Sequence, residues 1–474
     1  MSMDMLEALA GHSFYRVAEG WPSTGNLARL LKDGPQTYAA WLEAIERAEK
    51  FVNLENYIFQ EDSTGEKFAR ALLAAAARGI RCRLLYDWLG CRNRTSSSFW
   101  QKLRDGGVEV RCYNAPQLLH PLRWISRDHR KVLCVDGVLA FTGGLCIGHD
   151  WVGDPAKGIP PWRDTAIELK GPAVGYIDAA FEDSWLAAHE GRGLATGVPP
   201  PVSGQECVPG LEVSVIAGRP DSMGLYRLEQ LVAEIVQHSL WLTDGYFVAT
   251  TAYVRALSGA AQAGVDVRLL VPGSSDMPLV GALSKSAYRP LLEAGVRVFE
   301  WNGPMVHAKT AVADGCWTRI GSSNSNLASW ITNRELDVTI KSQVLARQME
   351  AMFESDMANS TEVVLMRGVS GLRRPVASSQ HGRSAGKNTR RLFSGAIGLS
   401  STLAASFTKR RVLGPEEALV LLSGGAGLIL LGLAVLLLPQ VFAGLFGIAA
   451  IAPGIGLLLR AIRLWRSGLR SHGR

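Results

Sequence analysis

The chain has 474 residues, of which 47% are hydrophobic and 20% charged, so it can build a sizeable core and is not globally disordered. Its net charge of +7 comes from the C-terminal part, because residues 1–366 carry 35 Lys and Arg against 41 Asp and Glu. This acidic body disfavours a protein that binds nucleic acid over its whole surface. The seven cysteines form no C-x-x-C pair, which disfavours a disulfide framework or a structural zinc site and favours a reducing compartment.

The N-terminal segment, taken as residues 1–36, begins with neither a basic region nor a long apolar run. We therefore predict no signal peptide. The rest of the chain divides by composition and repeat pattern into a first lobe over 37–200, a second lobe over 201–366, a basic linker over 367–415 and a C-terminal hairpin with a basic tail over 416–474.

An internal repeat relates residues 43–91 to residues 229–276. Each copy reads as a helix, a short apolar strand that ends in an aromatic residue, an Ala-rich helix, a glycine and a second strand. The predicted strands are Leu54–Phe59 and Arg81–Tyr86 in the first copy, and Trp241–Phe247 and Asp266–Val271 in the second. Helices that alternate with apolar strands predict an α/β fold, and two copies predict two lobes related by a pseudo-twofold axis.

The same polar motif, H-x-K-x4-D-x6-G-[GS], follows each copy of the repeat. Its residues are His129, Lys131, Asp136 and Gly144 in the first copy, and His307, Lys309, Asp314, Ser322 and, two positions further, Asn324 in the second. Residues i and i+2 of a strand share a face, so the histidine and lysine of each motif project together. A single H-x-K is typical of an ordinary surface strand, but two at matched spacing inside matched repeats indicate a functional site.

Two such pairs suit chemistry at phosphorus. One imidazole can attack the phosphorus atom while the other protonates the departing alkoxide. The neighbouring lysines can neutralise the phosphoryl oxygens as negative charge redistributes. A single pair could not reach both sides of an in-line displacement, whereas two pairs related by a pseudo-twofold axis could.

The C-terminal part of the chain predicts membrane attachment. Residues Ala418–Leu438 and Val441–Leu459 contain no charged residue and are each long enough to cross a bilayer as a helix, so we expect a transmembrane hairpin. Arginines flank both ends, which predicts that both ends, and the body before them, lie in the cytoplasm. The linker 367–415 is rich in Ser, Gly and Arg and is expected to be a flexible tether that contacts anionic headgroups.

The motifs resemble the signature of the phospholipase D superfamily, H-x-K-x4-D followed by a Gly-rich or Gly-Ser-x-Asn segment. Residues 37–361 match the layout of that family. Within it the chain is most similar to bacterial cardiolipin synthases of the B type, which carry stretches like NYIFQEDSTGEKFARALLAAAARGI, DHRKVLCVDGVLAFTGG and RDTAIELKGP. The resemblance implies two α/β lobes around one active site, no metal and no other cofactor, and a phosphohistidine-type intermediate.

The resemblance also implies roles for individual residues. His129 would be the nucleophile and His307 the general acid, while Asp164 and Glu335 would hydrogen-bond the histidines. Lys131, Lys309 and Asn324 would hold the phosphoryl oxygens, and Ser322 and Gly144 would contact the substrate beside them. Asp136 and Asp314 are expected to be structural. Cys146 occupies a position where many relatives have Asn, so one phosphate contact is expected to be missing or supplied by another residue.

These features predict a phosphatidyltransferase of the bacterial inner membrane that makes cardiolipin from phosphatidylglycerol and a second phospholipid or alcohol. Its expected partners are an anionic phospholipid substrate and the bilayer, with no nucleic acid. A phospholipase D that uses water is the main alternative, because the intermediate is shared. A phosphodiesterase or nuclease and an inactive membrane scaffold are weaker alternatives. Four tryptophans near the motifs could line an acyl groove, although core packing is their more common role: Trp124, Trp151, Trp162 and Trp330.

Overall fold

A computed structural model describes residues 18–116, 126–190, 210–220, 222–365 and 410–413, together with four isolated positions near the C-terminus. These residues form an α/β structure in which sixteen strands belong to one hydrogen-bonded sheet. We refer to residues 18–190 as the first half and to residues 210–365 as the second half.

The first half contains seven strands and five helices. They are β1 Trp21–Lys32, α1 Asp33–Glu46, β2 Phe51–Asn56, α2 Ser63–Ala77, β3 Arg81–Asp87, α3 Trp88–Cys91, α4 Ser97–Asp105, β4 Glu109–Tyr113, β5 Lys131–Val135, β6 Leu139–Gly143, β7 Thr165–Lys170 and α5 Ala173–Glu190. Asp62 caps α2 by accepting from the N–H groups of Thr64 and Gly65. Gly79, at φ +86°, ends that helix and leads into β3, as the sequence predicts.

The second half repeats this plan. Its elements are β8 Leu211–Gly218, α6 Gly224–Ile235, β9 Ser239–Thr243, α7 Thr251–Gln262, β10 Asp266–Pro272, α8 Pro278–Ser286, α9 Tyr288–Ala294, β11 Arg297–Trp301, β12 Thr310–Ala313, β13 Trp317–Gly321, β14 Glu335–Lys341, α10 Gln343–Ala358 and β15 Ser360–Leu365.

The strand order confirms the repeated α/β fold. It reads β1-β7-β6-β5-β2-β3-β4 in the first half and β8-β14-β13-β12-β9-β10-β11 in the second. The halves join where β1 pairs with β8 in antiparallel register, with Trp21 opposite Val215. A shared apolar core then packs β5 to β8 against β12 to β14, with Ile167, Leu336 and Val338 among its fully buried members.

Two predicted boundaries differ from the structure. The predicted strands Leu54–Phe59 and Trp241–Phe247 end at Asn56 and Thr243, so Phe59 and Phe247 lie beyond the ends of β2 and β9. The segment 1–36 is not separate from the first lobe, because β1 lies within it. That strand pairs with β7 on one side and β8 on the other, which makes it a central strand of the sheet.

The predicted transmembrane hairpin lies outside the described residues, apart from four isolated positions. Within the part of the chain that the structure describes, no helix combines the length and the apolar character needed to cross a bilayer. Of the predicted linker, the described residues Arg410–Leu413 form a further strand, β16, parallel to β15, where the sequence predicts flexible chain. Through this pairing β16 covers the outer N–H and C=O groups of β15, which would otherwise form the edge of the sheet.

One edge of the sheet in each half carries a histidine. At this edge, which we call the histidine edge, the parallel strands β2 to β4 and β9 to β11 end. His129 lies two residues before Lys131, where β5 begins, and His307 lies just before β12 at the equivalent place. The histidine edges of the two halves meet, because Asp128 pairs with Arg334 and Arg163 pairs with Val306 as parallel bridges.

Candidate active site

Backbone hydrogen bonds between the halves hold each histidine in place. The N–H of His129 donates to the carbonyl oxygen of Arg334 at 2.9 Å, and the N–H of His307 donates to that of Arg163 at 2.7 Å. The side chains of these two arginines are buried and form ion pairs with Asp183 and Asp356, which lie on the long helices α5 and α10. Arg163 of the first half therefore binds the backbone of His307 in the second half, and Arg334 of the second half binds that of His129 in the first half.

Each histidine is paired with a carboxylate from the opposite half. His129 Nδ1 lies 2.9 Å from Glu335 Oε2, and His307 Nδ1 lies 2.8 Å from Asp164 Oδ2. All four side chains are buried. A carboxylate that accepts from Nδ1–H leaves Nε2 of the same ring with a free lone pair, which is the state needed for attack on phosphorus.

Without a bound phosphate, burial and the lysine charges favour neutral histidines, and the histidines and lysines favour ionised carboxylates. Burial, followed by the Lys309 charge, lowers the pKa of His307 to about 3, and burial also lowers the pKa of His129. Burial alone would raise the pKa of Asp164 and Glu335, but the facing histidines and nearby lysines hold both below their ordinary values.

Both motif lysines are fully buried beside the histidines. The ammonium group of Lys131 donates to the carbonyl oxygen of His129, and that of Lys309 donates to the carbonyl oxygen of His307. Burial, and then the charge of Lys131, lower the pKa of Lys309 to about 8, although Asp164 opposes the shift. Two adjacent buried cations form a site suited to a phosphoryl group.

Asn324 and Cys146 occupy equivalent positions in the two halves. Asn324 is buried, and its side-chain oxygen has no hydrogen-bond partner among the described residues. Cys146 is buried close enough to Lys131 and Lys309 for their charges to act on its thiol, yet burial raises its pKa above the ordinary value. The thiol is therefore protonated at neutral pH and is not a reactive thiolate.

The two carboxylates receive different supporting hydrogen bonds. The hydroxyl of Ser322 donates to Glu335 at 2.6 Å, so it is directed at the carboxylate rather than toward a substrate. Gly144 is the equivalent residue of the first half, and a Cβ there would lie 2.2 Å from Asp164 Oδ1. The indole N–H of Trp151 donates to Asp164 at 2.9 Å instead. Gly144 and Ser322, expected to contact the substrate, thus pack behind the carboxylates.

Replacing Trp151 by Phe is expected to lower turnover about tenfold. The Phe ring keeps the contact with His307, whose ring centroid lies 5.4 Å from that of Trp151, but removes the N–H that helps to keep the pKa of Asp164 low. An unsatisfied buried carboxylate oxygen costs about 1–3 kcal/mol. The pH–rate profile and kcat of the purified variant measure the effect.

Trp162→Phe is the matched control for this variant. Its ring also contacts His307, at 5.8 Å between centroids, but Asp164 receives its side-chain hydrogen bonds from Trp151 and His307. We expect Trp162→Phe to retain turnover within about twofold. Equal losses in the two variants would show that the indole N–H of Trp151 has no separate role.

Sequence analysis missed two tyrosines of the site. Tyr57 directly follows β2, and Tyr246 lies three residues after the end of β9. They pack edge-on against His129 and His307, with centroids 4.8 and 5.7 Å apart, respectively. The motif lysine of each half lies over the same tyrosine ring. Their occurrence just before the aromatic residue that ends each predicted strand, Phe59 and Phe247, was the available signal, but the apolar pattern assigned them to the strands.

The remaining predicted residues lie away from the chemistry. Asp136 accepts from the N–H groups of Glu49, Lys50 and Phe51. Asp314 accepts in the same way from the N–H groups of Gln237, His238 and Ser239, the last of which begins β9. Both aspartates lie at the edge of the sheet opposite the histidines. Trp330 is buried and donates to Glu229, while Trp124 lies outside the described residues.

Within the described ranges, the six cysteines are free and no cluster of three His, Cys, Asp or Glu side chains is placed to hold a metal ion. Cys207 lies outside those ranges.

Comparison with known proteins agrees with this geometry. The family described as "Cardiolipin synthase, PLD-like domain" matches residues 41–149 and 231–357, which contain both H-x-K motifs. The chain is 31% identical to cardiolipin synthase 1 of Bacillus anthracis over 71% of this chain and 67% of that one. It is 32% identical to cardiolipin synthase A of Pseudomonas aeruginosa over 71% and 68%, respectively.

A solved structure shares the fold at low sequence identity. Phosphatidylserine synthase of Haemophilus influenzae superposes with a TM-score of 0.58 over 71% of this chain and 87% of that one, at 15% identity. The fold and the paired H-x-K sites define a two-lobed enzyme of the phospholipase D type. The chain belongs to the cardiolipin synthase family of phospholipase D-like phosphatidyltransferases. Its resemblance to the B type remains a prediction.

Proposed function

We propose that this enzyme transfers a phosphatidyl group from a phosphatidylglycerol-like donor to the hydroxyl of a second phospholipid or alcohol, making cardiolipin. The observation that supports it best is the pair of buried histidine–carboxylate contacts, each built from both halves and each beside a buried lysine. This arrangement offers one imidazole for attack and one for proton transfer around a single phosphoryl site. The names of the relatives indicate which lipid chemistry the site performs.

In the proposed first step, Nε2 of His129 attacks phosphorus and the bond from phosphorus to the leaving glycerol oxygen breaks. Protonated His307 gives its proton to that oxygen, so neutral glycerol departs and the phosphatidyl group stays on His129. Lys131, Lys309 and Asn324 hold the phosphoryl oxygens. Although burial is the main cause of the low pKa of His307, the lysine charges contribute, and an anionic phosphate would offset them.

In the proposed second step, the hydroxyl of the acceptor lipid attacks phosphorus. His307 takes the proton of that hydroxyl, and the bond between phosphorus and His129 breaks. The enzyme returns to its starting protonation state, as microscopic reversibility requires. Glu335 and Asp164 hold the two rings in the correct tautomer throughout.

Lipid analysis after expression in a bacterial host that lacks its own cardiolipin synthases tests the proposed function. We expect cardiolipin to appear with the wild-type chain and not with His129→Ala. Accumulation of phosphatidic acid without cardiolipin would instead show a phospholipase D that uses water. Lipids unchanged by well-expressed wild-type protein would contradict both activities.

We expect activity to survive removal of divalent metal ions. Lys131 and Lys309 are both buried at the phosphoryl site and already supply positive charge there. Turnover after dialysis against EDTA should therefore stay within about twofold of the untreated enzyme. Loss of activity on chelation that one divalent ion restores would contradict the proposed roles of the lysines.

The proposed location is the bacterial inner membrane, with the hairpin Ala418–Leu459 as anchor and the body facing the cytoplasm. Two charge-free runs of spanning length with arginines at both flanks support it. Fractionation of a chain truncated after residue 365 tests the anchor. Release of the truncated chain from membranes that retain the full chain is expected, whereas equal retention of both would contradict the anchoring role.

A further inference from the structure

Exposed apolar side chains are concentrated around the opening of the active site. In the described residues up to Leu365, nine large apolar side chains are exposed. Five of them lie on loops and short helices that leave the histidine edge, and we call these five the rim: Leu89, Ile159, Met277, Leu283 and Leu327. The other four are dispersed over β1, the β5–β6 turn, the end of α5 and the start of α10.

The rim of the second half is connected to His307 by direct contacts. Tyr246 packs edge-on against His307, and its hydroxyl donates to Asp276 at 2.7 Å. Met277 follows Asp276 and precedes α8, on which Leu283 is 45% exposed. The exposed apolar residues at and just before α8 are therefore connected to His307 through Asp276 and Tyr246.

The first half has an equivalent connection to His129. Gly90 on α3 packs so closely on the backbone of Tyr57 that a Cβ would lie 2.0 Å from its carbonyl oxygen. Tyr57 in turn packs against His129, and the neighbour of Gly90 is the exposed Leu89. Exposed apolar residues therefore lie on segments that contact the tyrosine beside each histidine.

The two remaining rim residues lie on segments that leave the histidine edge after β6 and after β13. Ile159 is three residues before Trp162, whose ring contacts His307. Leu327 follows Asn326, whose side chain donates to the carbonyl oxygen of Tyr246 at 3.1 Å. The rim therefore consists of exposed apolar side chains on four separate segments that leave the histidine edge.

Polar groups of the rim favour a lipid surface over a second copy of the chain. The exposed Arg92 places its guanidinium 5.1 Å from the ring of the half-buried Trp88, directly beside Leu89. Tryptophan and arginine among exposed apolar side chains are typical of protein segments at the level of lipid headgroups. A positive charge there also complements an anionic bilayer.

We propose that the rim inserts its apolar side chains into the surface of an anionic bilayer, so that the active-site opening faces the membrane. This inference rests on the proposed function, because a substrate with two acyl chains has to pass between bilayer and active site. The rim acts in addition to the proposed C-terminal anchor. It orients the opening, whereas the anchor only keeps the body nearby.

Photolabelling tests the contact directly. The full chain is reconstituted in vesicles of phosphatidylglycerol and phosphatidylethanolamine that contain a small fraction of phosphatidylglycerol with a diazirine in one acyl chain. We expect lipid adducts in the peptides that contain Leu89 and Met277 to Leu283, and at least tenfold fewer in the peptide of Val138. Val138 is also exposed but lies in the β5–β6 turn, at the opposite edge of the sheet. Equal labelling of these peptides, or none at the rim, would overturn the proposal.

A matched pair of variants tests the functional consequence. The double variant Met277→Glu, Leu283→Glu should lose at least tenfold of its activity on vesicles, but stay within about twofold of wild type on monomeric dihexanoyl phosphatidylglycerol. Val138→Glu should match wild type on both substrates. Activity on the monomeric lipid shows that the double variant is folded.

An unchanged vesicle activity in the double variant, or an equal loss on both substrates, would overturn the role of the rim. If the wild-type chain makes no product from either substrate, the proposed function fails, while the photolabelling result still decides whether the rim contacts lipid.

Discussion

Replacing His129 or His307 by alanine is expected to lower turnover by at least about 10⁴-fold. One imidazole attacks phosphorus while the other transfers the proton, so neither can do the work of both. Because the two act as one unit, loss of either removes most of the rate enhancement. Single-turnover and steady-state assays on purified variants measure the loss. His238→Ala is the matched control, because His238 is exposed at the opposite edge of the sheet and should retain wild-type turnover.

The same variants identify the nucleophile. Rapid quenching and peptide mass spectrometry of the enzyme with substrate should find the phosphatidyl group on His129. His307→Ala should still form this adduct, though slowly, and His129→Ala should not. Burial lowers the pKa of both imidazoles, so the adduct rather than these shifts assigns the two roles. An adduct on His307 in the wild-type enzyme would reverse the assignment.

Replacing a carboxylate partner by its amide is expected to cost about 10²- to 10⁴-fold in turnover. The side-chain N–H₂ of Asn or Gln can donate to Nδ1 and so favours the wrong tautomer of the histidine. Asp164→Asn changes the partner of His307, and Glu335→Gln changes the partner of His129. In both pairs the carboxylate and the histidine come from different halves. Steady-state turnover of both variants measures this loss.

The pH profile separates this effect from misfolding. The charge of Asp164 raises the pKa of His307 against the larger lowering by burial, so Asp164→Asn lowers that pKa further. The limb of the profile that requires a protonated His307 should therefore shift to lower pH. Asp154→Asn, in the same loop but at an exposed ion pair with Lys157, should leave turnover and profile unchanged. A carboxylate variant with more than a tenth of wild-type turnover would contradict the proposed role.

The repeat and its motifs could be recognised from the sequence because they depend on local order. Apolar strands alternate with helices in both copies, and the spacing from histidine to lysine to aspartate is the same in both. A strand periodicity of two residues then places Lys131 and Lys309 on the side of their histidines. The roles of Asp136 and Asp314 follow similar local rules, since each binds backbone N–H groups where a neighbouring strand begins.

Strand ends were less predictable. Tyr57 and Tyr246 continue an apolar pattern, so the sequence assigns them to the predicted strands. In the structure β2 and β9 end before them, because β5 and β12 begin at the same level and the chain turns out of the sheet toward the histidines. Apolar periodicity does not distinguish an aromatic residue in a strand from one that forms the wall of a site.

By itself the sequence determined the family, the duplicated α/β plan and the residue types that perform the chemistry. Only the tertiary structure decided which carboxylate serves which histidine: Glu335 reaches across to His129, and Asp164 to His307. It also decided that an indole N–H supports Asp164 where a serine hydroxyl supports Glu335. The physical reason is that these contacts form where two histidine edges meet, between residues far apart in the chain, and neither periodicity nor motif spacing carries information about that distance.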